Sequence, residues 1–165
     1  MQKIVILGNS GSGKSTLAKN YVQKYGLPHL DLDSLAWQNT QPPKRKPLPQ
    51  SAKRIDAFLL INDSWVIEGC YTDLLEMVTN AATEMVFLNP GVETCVSNCK
   101  SRPWEPHKYK TAAAQDKNLP MLLDWVRGYI KRDDEFSLQS HVGLYAQFNG
   151  DKVEYKSNER DARLT

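Results

Sequence analysis

Two kinds of segment alternate along the chain: short apolar runs, and longer stretches with apolar residues at helical spacing. The short runs are typical of buried strands, which we predict at Ile4–Leu7, His29–Asp33, Ser64–Gly69, Glu84–Pro90 and Lys152–Lys156. The longer stretches predict helices at Lys14–Tyr25, Ser51–Leu60, Val92–Ser101, Leu119–Arg132 and Ser137–Phe148. Because the strands are mostly apolar rather than alternating in polarity, we expect an α/β fold with a parallel sheet of about five strands and helices on both faces.

Two segments interrupt this alternation. Ser34–Gln50 contains "QPPKRKPLPQ", with four prolines and three basic residues, and is predicted to be irregular. The stretch "RPWEPHKYK", from Arg102 to Lys110, ends the helix before it. No internal repeat is visible, so the 165 residues are expected to form one domain.

Composition narrows the classes of protein. Hydrophobic residues make up 41% and charged residues 24%, which is ordinary for a globular domain. A net charge of +2 argues against direct nucleic-acid binding, and no apolar run approaches the roughly 20 residues of a membrane helix. With no signal-peptide pattern, we expect a cytoplasmic protein. Cys70, Cys95 and Cys99 fit a reduced compartment, and the last two are expected to be buried hydrophobes rather than zinc ligands.

The stretch "GNSGSGKST" follows the first predicted strand and opens the first predicted helix. It matches G-x-x-x-x-G-K-S, the Walker A pattern, in the context that pattern requires. Glycines let the backbone curl round phosphates, the lysine adds a cation, and the serine hydroxyl can bind Mg²⁺. The alternative is a chance Gly/Ser-rich turn. The predicted nucleotide-binding residues are Gly8, Asn9, Ser10, Gly11, Ser12, Gly13, Lys14, Ser15 and Thr16.

Several stretches besides this motif carry a resemblance that runs over nearly the whole chain: "LPHLDLDSLAW", "SWVIEGCY", "VFLNP" and the segment Trp125–Arg132. The chain resembles the nucleoside-monophosphate-kinase branch of P-loop proteins, especially small bacterial adenylate-kinase-related or DNA-topology-modulation proteins. The resemblance implies a P-loop NTPase three-layer sandwich as a single domain, residues 1–165. It also implies an acceptor-binding insertion over 35–62 and a short lid over 102–117, which lacks a four-cysteine zinc site.

The resemblance also assigns roles to acidic residues at predicted strand ends. Glu68 matches the acid that holds Mg²⁺ through water, and Ser15 is the P-loop ligand of that ion. Asp31 and Asp33 resemble a D-x-D pair, in which one acid meets Mg²⁺ and the other orients the acceptor hydroxyl. Alternation along a strand would place both on one side. The alternatives are solvated strand ends or, for Asp33, a helix N-cap.

Arg102, Arg127 and Arg132 resemble lid arginines that stabilise charge on the transferring phosphoryl group. Their alternative is an exposed helix face. Arg127 and Arg132 lie five apart, so on a regular helix they would point roughly 140° apart, and we expect at least one to reach phosphate only in a closed state. The basic run Lys44–Lys46 is a solvated loop by default, or part of a site for an anionic acceptor. Trp37 and Trp104 could stack on bases or have core or surface roles.

These observations predict an ATP-dependent, Mg²⁺-requiring phosphotransferase with Lys14, Asp33 and the three arginines as catalytic residues. Asp31, Ser15 and Glu68 are the expected metal-binding residues. The chain lacks an N-K-x-D motif and the length of a motor ATPase, which disfavours a GTPase switch or a motor. The alternative is an ATP-binding regulator with weak ATPase activity, acting through a partner or DNA topology. We expect a monomer or homodimer with a small-molecule acceptor and no membrane partner.

Overall fold

The apolar runs of the sequence form a parallel sheet at the centre of the molecule. The structure is a computed structural model and describes residues 1–160, so the last five residues of the predicted domain lie outside it. The strands are β1 (Lys3–Gly8), β2 (His29–Asp31), β3 (Trp65–Gly69), β4 (Glu84–Leu88) and β5 (Asp151–Tyr155). They lie in the order β2-β3-β1-β4-β5, which confirms the predicted five-stranded parallel sheet.

Seven helices occur in the described residues. They are α1 (Lys14–Tyr25), α2 (Asp33–Ala36), α3 (Leu48–Ile61), α4 (Thr72–Thr79), α5 (Val92–Lys100), α6 (Ala112–Arg127) and α7 (Leu138–Gln147). A 3₁₀ turn, Gly128–Ile130, follows α6. Across residues 1–160, none of these helices combines the length and apolar character needed to cross a membrane.

The two faces of β1 explain the three-layer arrangement. Val5 and Leu7 pack with residues of α2, α3, α4 and α7 in the larger core, whereas Ile4 and Ile6 pack against α1 in the smaller one. All four side chains are fully buried. Since successive side chains of a strand point to opposite faces, a central strand that is apolar at every position requires helices on both sides. The predicted three-layer α/β sandwich is therefore confirmed.

The predicted helix at Leu119–Arg132 is wrong at both ends. Helix α6 begins at Ala112, where the Thr111 hydroxyl accepts a hydrogen bond from the Ala114 N–H at 3.1 Å, and it ends at Arg127. Pro120 lies inside the helix, although proline is typical of a first turn, and this explains the late predicted start. The strand predicted at His29–Asp33 ends at Asp31, because Asp33 begins α2.

Other differences concern short or proline-containing helices. The eight-residue helix α4 was not predicted, and the segment predicted to be irregular includes α2 and the start of α3. Pro49 lies in the first turn of α3, where the missing N–H leaves no intrahelical hydrogen bond unmade. Cys95 and Cys99 are buried, as predicted, and they lie in a small core between α5 and α6.

His141 joins three elements of the larger core. Its Nε2 lies 2.8 Å from the Cys70 carbonyl oxygen, which can only accept, so Nε2 carries the proton. Nδ1 therefore accepts from the Tyr129 hydroxyl at 2.7 Å. The ring is fully buried, and this burial lowers the pKa of His141 to about 4. The network connects α7 to the loop after β3 and to the 3₁₀ turn after α6.

We expect His141 to make the protein less stable in acid. Between pH 6.5, the ordinary value, and about 4, the unfolded chain binds a proton that the folded protein excludes. The free energy of unfolding should therefore fall by up to about 3 kcal/mol over this range. His141→Gln can still donate to the Cys70 carbonyl but does not titrate. Urea unfolding at several pH values should show a flatter curve for this variant, and parallel curves would contradict the assignment.

Candidate functional site

The glycines of the P-loop, residues 8–15, let its backbone pack directly against other backbone. A Cβ on Gly8 would lie 2.4 Å from the Leu88 carbonyl oxygen at the end of β4. A Cβ on Gly11 would lie 2.5 Å from the Cys95 carbonyl oxygen on α5, and Gly11 has a φ of +80°. Side chains other than glycine would collide at both positions and would be strained at Gly11. The loop conformation therefore depends on glycine.

Hydrogen bonds fix this loop to the helices beside it. Asn98 of α5 donates to the Gly11 carbonyl at 2.8 Å, and the Asn9 side chain donates to the Val126 carbonyl near the end of α6 at 3.2 Å. The Lys14 ammonium donates to the Asn9 carbonyl at 2.9 Å. The buried hydroxyl of Ser12 has no hydrogen-bond partner among the described residues. The loop is thus positioned by α5 and α6.

The beginning of α1 suits an anion. Gly13 precedes the helix in the left-handed conformation, no side chain caps the helix, and its first turn contains no acidic residue. The first N–H groups of a helix have no intrahelical partner and carry partial positive charge, so they bind phosphate well. Lys14, Ser15 and Thr16 line a cleft of about 810 Å³ in front of this terminus. The residues present therefore fit the phosphates of ATP.

Three carboxylates line the same cleft. Asp31 ends β2 directly opposite Glu68 on β3, and Asp33 follows at the start of α2. Glu68 has a side chain only 2% exposed, and its Oε1 accepts a hydrogen bond from His29 Nε2 at 3.1 Å. Burial, together with the charges of Asp33 and Glu68, raises the pKa of Asp31. A cation placed here would relieve this repulsion.

The Asp33 carboxylate is held by two neighbours, and the backbone of Asp33 contacts a third. Its Oδ1 accepts from the Tyr71 hydroxyl, its Oδ2 lies 3.4 Å from the Lys108 ammonium, and its backbone N–H donates to Asp31 Oδ1 at 2.9 Å. Burial raises the pKa of Asp33, but Lys108, the Tyr71 hydrogen bond and Lys14 outweigh this effect and lower it. Asp33 is therefore ionised at neutral pH. Asp31 and Asp33 line the same cleft, as predicted. Strand alternation is not the reason, because β2 ends at Asp31 and Asp33 belongs to α2.

The predicted lid provides cations above these acids. Arg102 lines the cleft and lies 3.4 Å from Glu105, and Lys108 also lies 3.8 Å from Glu105. Trp104 lines the cleft as well, with its indole N–H bonded to the Tyr109 carbonyl at 3.0 Å. Because α6 begins at Ala112, the last six residues of the predicted lid are helical.

The other two predicted arginines do not line the cleft. Arg127 is 47% exposed and pairs with Asp124 at 3.6 Å. Arg132 follows the helix and turns back, so that its guanidinium lies 3.9 Å from the centre of the Trp125 ring and donates to the Trp125 carbonyl. The prediction that the two lie on one helix is therefore wrong. Contact with phosphate in a closed state stays a prediction for either arginine.

Sequence reasoning missed several residues at this cleft. Asn158 and Arg160, which follow β5, line it, and Arg160 donates to the Gly13 carbonyl at 3.4 Å. Asn158 also exchanges hydrogen bonds with Asn98. No local motif marks these residues. The signal that could have pointed to them was their place after a predicted strand, because all strands of a parallel sheet end at the same edge.

A metal ion could be held here only with help from a ligand and water. In residues 1–160, no three His, Cys, Asp or Glu side chains are arranged to hold an ion by themselves. Mg²⁺ commonly uses one or two protein ligands together with phosphate oxygens and water. The Ser15 hydroxyl and the carboxylates of Asp31 and Glu68 fit that requirement, since all three line the cleft beside the P-loop.

Comparisons with known proteins agree with this fold. No protein-family profile matches the chain. The Bacillus subtilis (strain 168) protein YqaC is 35% identical over 130 residues, which cover 78% of this chain and 72% of YqaC. Shikimate kinase from Bacteroides thetaiotaomicron superposes with a TM-score of 0.55 at 16% identity, covering 98% of this chain and 90% of the enzyme. A gluconokinase from Sinorhizobium meliloti 1021 gives 0.53 at 14% identity, covering 99% and 86%. These structures establish the fold.

We expect Gly11→Ala to destabilise the protein and Gly143→Ala to stabilise it slightly. The new methyl group at Gly11 would meet Cys95 backbone at a positive φ, which should reduce the free energy of unfolding by about 1–3 kcal/mol. Gly143 lies in α7 with nothing within 4 Å of a Cβ, so alanine there should add about 0.5–1 kcal/mol. Urea unfolding would measure both. Equal stabilities would contradict the packing described for the P-loop.

Proposed function

The chain belongs to the family of the Bacillus subtilis protein YqaC, and we propose that it is an ATP-dependent kinase for a small-molecule acceptor. The observation that supports this most directly is the content of one cleft. A P-loop with free N–H groups, an ionised Asp33 and the lid cations Arg102 and Lys108 all line it. Phosphoryl transfer needs these three elements, because its catalysis consists mainly of positioning and charge neutralisation.

In this proposal the P-loop holds ATP. The N–H groups at the start of α1 bind the phosphates, and Lys14 exchanges its bond with the Asn9 carbonyl for one with a phosphate oxygen. Ser15, Asp31 and Glu68 hold Mg²⁺, which when bound neutralises part of the charge on the phosphates. His29 keeps the buried Glu68 carboxylate oriented towards the cleft.

Asp33 orients the acceptor. Its Oδ2, which faces Lys108, accepts a hydrogen bond from the acceptor hydroxyl. The hydroxyl oxygen forms a bond to the γ-phosphorus as the bond to the β-phosphate oxygen breaks, ADP leaves, and the hydroxyl proton passes to Asp33. Arg102 and Lys14 stabilise the charge on the transferring group. Of the three predicted arginines we propose Arg102 for this role, since it lines the cleft in this structure.

The acceptor is proposed to bind between residues 35–62 and the lid, 102–117. The resemblance to adenylate-kinase-related and DNA-topology-modulation proteins makes nucleoside monophosphates one acceptor class to test. The structural likeness to shikimate kinase and gluconokinase makes small hydroxylated metabolites another. A requirement for ATP and Mg²⁺ is consistent with a cytoplasmic protein.

We expect ATP·Mg²⁺ to raise the melting temperature. A ligand that binds only the folded state at a hundredfold excess over its Kd adds about 2.7 kcal/mol to stability. A panel of nucleoside monophosphates and small hydroxylated metabolites is then tested by ADP release. Stimulation by one compound supports the kinase. A melting shift with no stimulation by any compound would instead support an ATP-binding regulator, and no shift at millimolar ATP would contradict both.

We expect Lys14→Ala to abolish phosphoryl transfer without unfolding the protein, because the ammonium group is bonded to the Asn9 carbonyl of the P-loop and lines the cleft rather than the core. ADP release and the melting temperature without nucleotide would be measured together. Lys24→Ala, at an exposed position in the last turn of the same helix α1 and away from the cleft, is the matched control and should retain full activity. If Lys14→Ala lost the folded state along with activity, its proposed role in binding phosphate would be wrong.

A further inference from the structure

Three side chains form a chain of hydrogen bonds that ends at Asp33. The Trp37 indole N–H donates to the Tyr71 hydroxyl oxygen at 2.7 Å, and the Tyr71 hydroxyl donates to Asp33 Oδ1. The direction is fixed, because an indole can only donate and an ionised carboxylate can only accept. Burial, with the nearby Cys70 and Asp33, raises the pKa of Tyr71, so its hydroxyl keeps the proton that it donates.

The ring of Tyr71 is held on several sides. It is 2% exposed, and the rings of Trp37 and Phe136 pack against it with centroids 6.3 and 5.3 Å away. The Arg45 guanidinium lies 4.9 Å from the ring centre. This close packing leaves the phenol little freedom to rotate, so its hydroxyl has a defined position.

Arg45 in turn is fixed to the core. Its guanidinium pairs with Asp73 of α4 at 3.0 Å and with Glu135 at 2.9 Å. Trp37 and Arg45 also form an isolated antiparallel bridge within the segment 35–62. The segment proposed to bind the acceptor therefore contacts Tyr71 through two of its own residues.

The two oxygens of Asp33 are consequently not equivalent. Oδ1 is occupied by the Tyr71 hydroxyl, whereas Oδ2 lies 3.4 Å from Lys108 of the lid. An exposed ion pair of this kind contributes at most about 1 kcal/mol and exchanges readily. The buried hydroxyl bond therefore decides how the carboxylate is turned, and Oδ2 is the oxygen left for an acceptor.

We propose that Tyr71 is a positioning residue that turns the Asp33 carboxylate towards the acceptor and connects it to Trp37 in the segment 35–62. This inference rests on the proposed function, in which Asp33 orients the acceptor hydroxyl. When Trp37 and Arg45 are seated against Tyr71, the carboxylate is held for reaction. Movement of the segment would remove the indole donor and loosen the carboxylate.

The connection can be tested without measuring activity. The indole ¹H–¹⁵N resonances of the four tryptophans are recorded, and Trp37→Phe identifies that of Trp37. Asp33→Asn replaces the carboxylate with a weaker acceptor of the same shape, so it should shift the Trp37 resonance through Tyr71. In Tyr71→Phe, the same Asp33 substitution should have no effect. Trp65 and Trp125, which do not line the cleft, are internal references.

A Trp37 shift of equal size with and without the Tyr71 hydroxyl would overturn the connection, since the effect would then act through space. The absence of a shift in the protein that retains Tyr71 would overturn it as well. If Tyr71→Phe fails to fold, Asp33→Asn can still overturn the connection, because the absence of a Trp37 shift contradicts it. Tyr145→Phe, which removes a hydroxyl from α7, controls for the loss of any phenol group.

Turnover tests the positioning role. With ATP·Mg²⁺ and the acceptor found in the panel, Tyr71→Phe should lower kcat about tenfold and leave the KM for ATP unchanged. In a protein that already carries Asp33→Asn, adding Tyr71→Phe should lower kcat no further. An unchanged kcat would overturn the positioning role while leaving the kinase intact. A wild-type protein that transfers phosphate to no acceptor, with the resonance connection intact, would overturn the proposed function instead.

Discussion

The packing of P-loop backbone against backbone of β4 and α5 is the constraint on which the rest of the site depends. Gly8 and Gly11 leave no space for a Cβ, so the loop has one conformation in which Asn98 binds the Gly11 carbonyl and Lys14 binds the Asn9 carbonyl. The donors at the start of α1 are therefore oriented before any ligand arrives. Such preorganisation reduces the entropy lost on binding. The Asn9 side chain extends the constraint to α6, because it bonds to the Val126 carbonyl.

The parallel sheet concentrates negative charge beside this loop. Asp31 and Glu68 are register partners at the ends of β2 and β3, and Asp33 adds a third carboxylate. The buried Glu68 carboxylate needs compensation, which His29 gives, and the more exposed Asp33 carboxylate pairs with Lys108. Because the pair with Lys108 is partly exposed, it contributes little to stability. In the proposed function the phosphates of ATP would add more negative charge here, which Lys14 and a divalent cation would offset.

The sequence predicted those features that are encoded locally. Apolar periodicity located the strands, and the Walker A spacing located the P-loop, because both depend on consecutive residues. Helix α4 was missed because eight residues contain little periodicity, and α6 was misplaced because Pro120 resembles a first-turn proline. The contacts of Tyr71 and Asn158 with the site come from residues far apart in sequence. Only the sheet order brings these residues together, so no local pattern could reveal their roles.

The position of Arg45 changes the interpretation of the basic run Lys44–Lys46. As an exposed loop, this run would offer three positive charges to an anionic acceptor. In the structure, Arg45 is instead neutralised by Asp73 and Glu135 and stacked on Tyr71. Arg45 is therefore committed to the core, and Lys44 and Lys46 are the residues of the run that remain to meet an acceptor anion. The arginine is thus a clamp between the segment 35–62 and the core, and docking of that segment and orientation of Asp33 become one structural event.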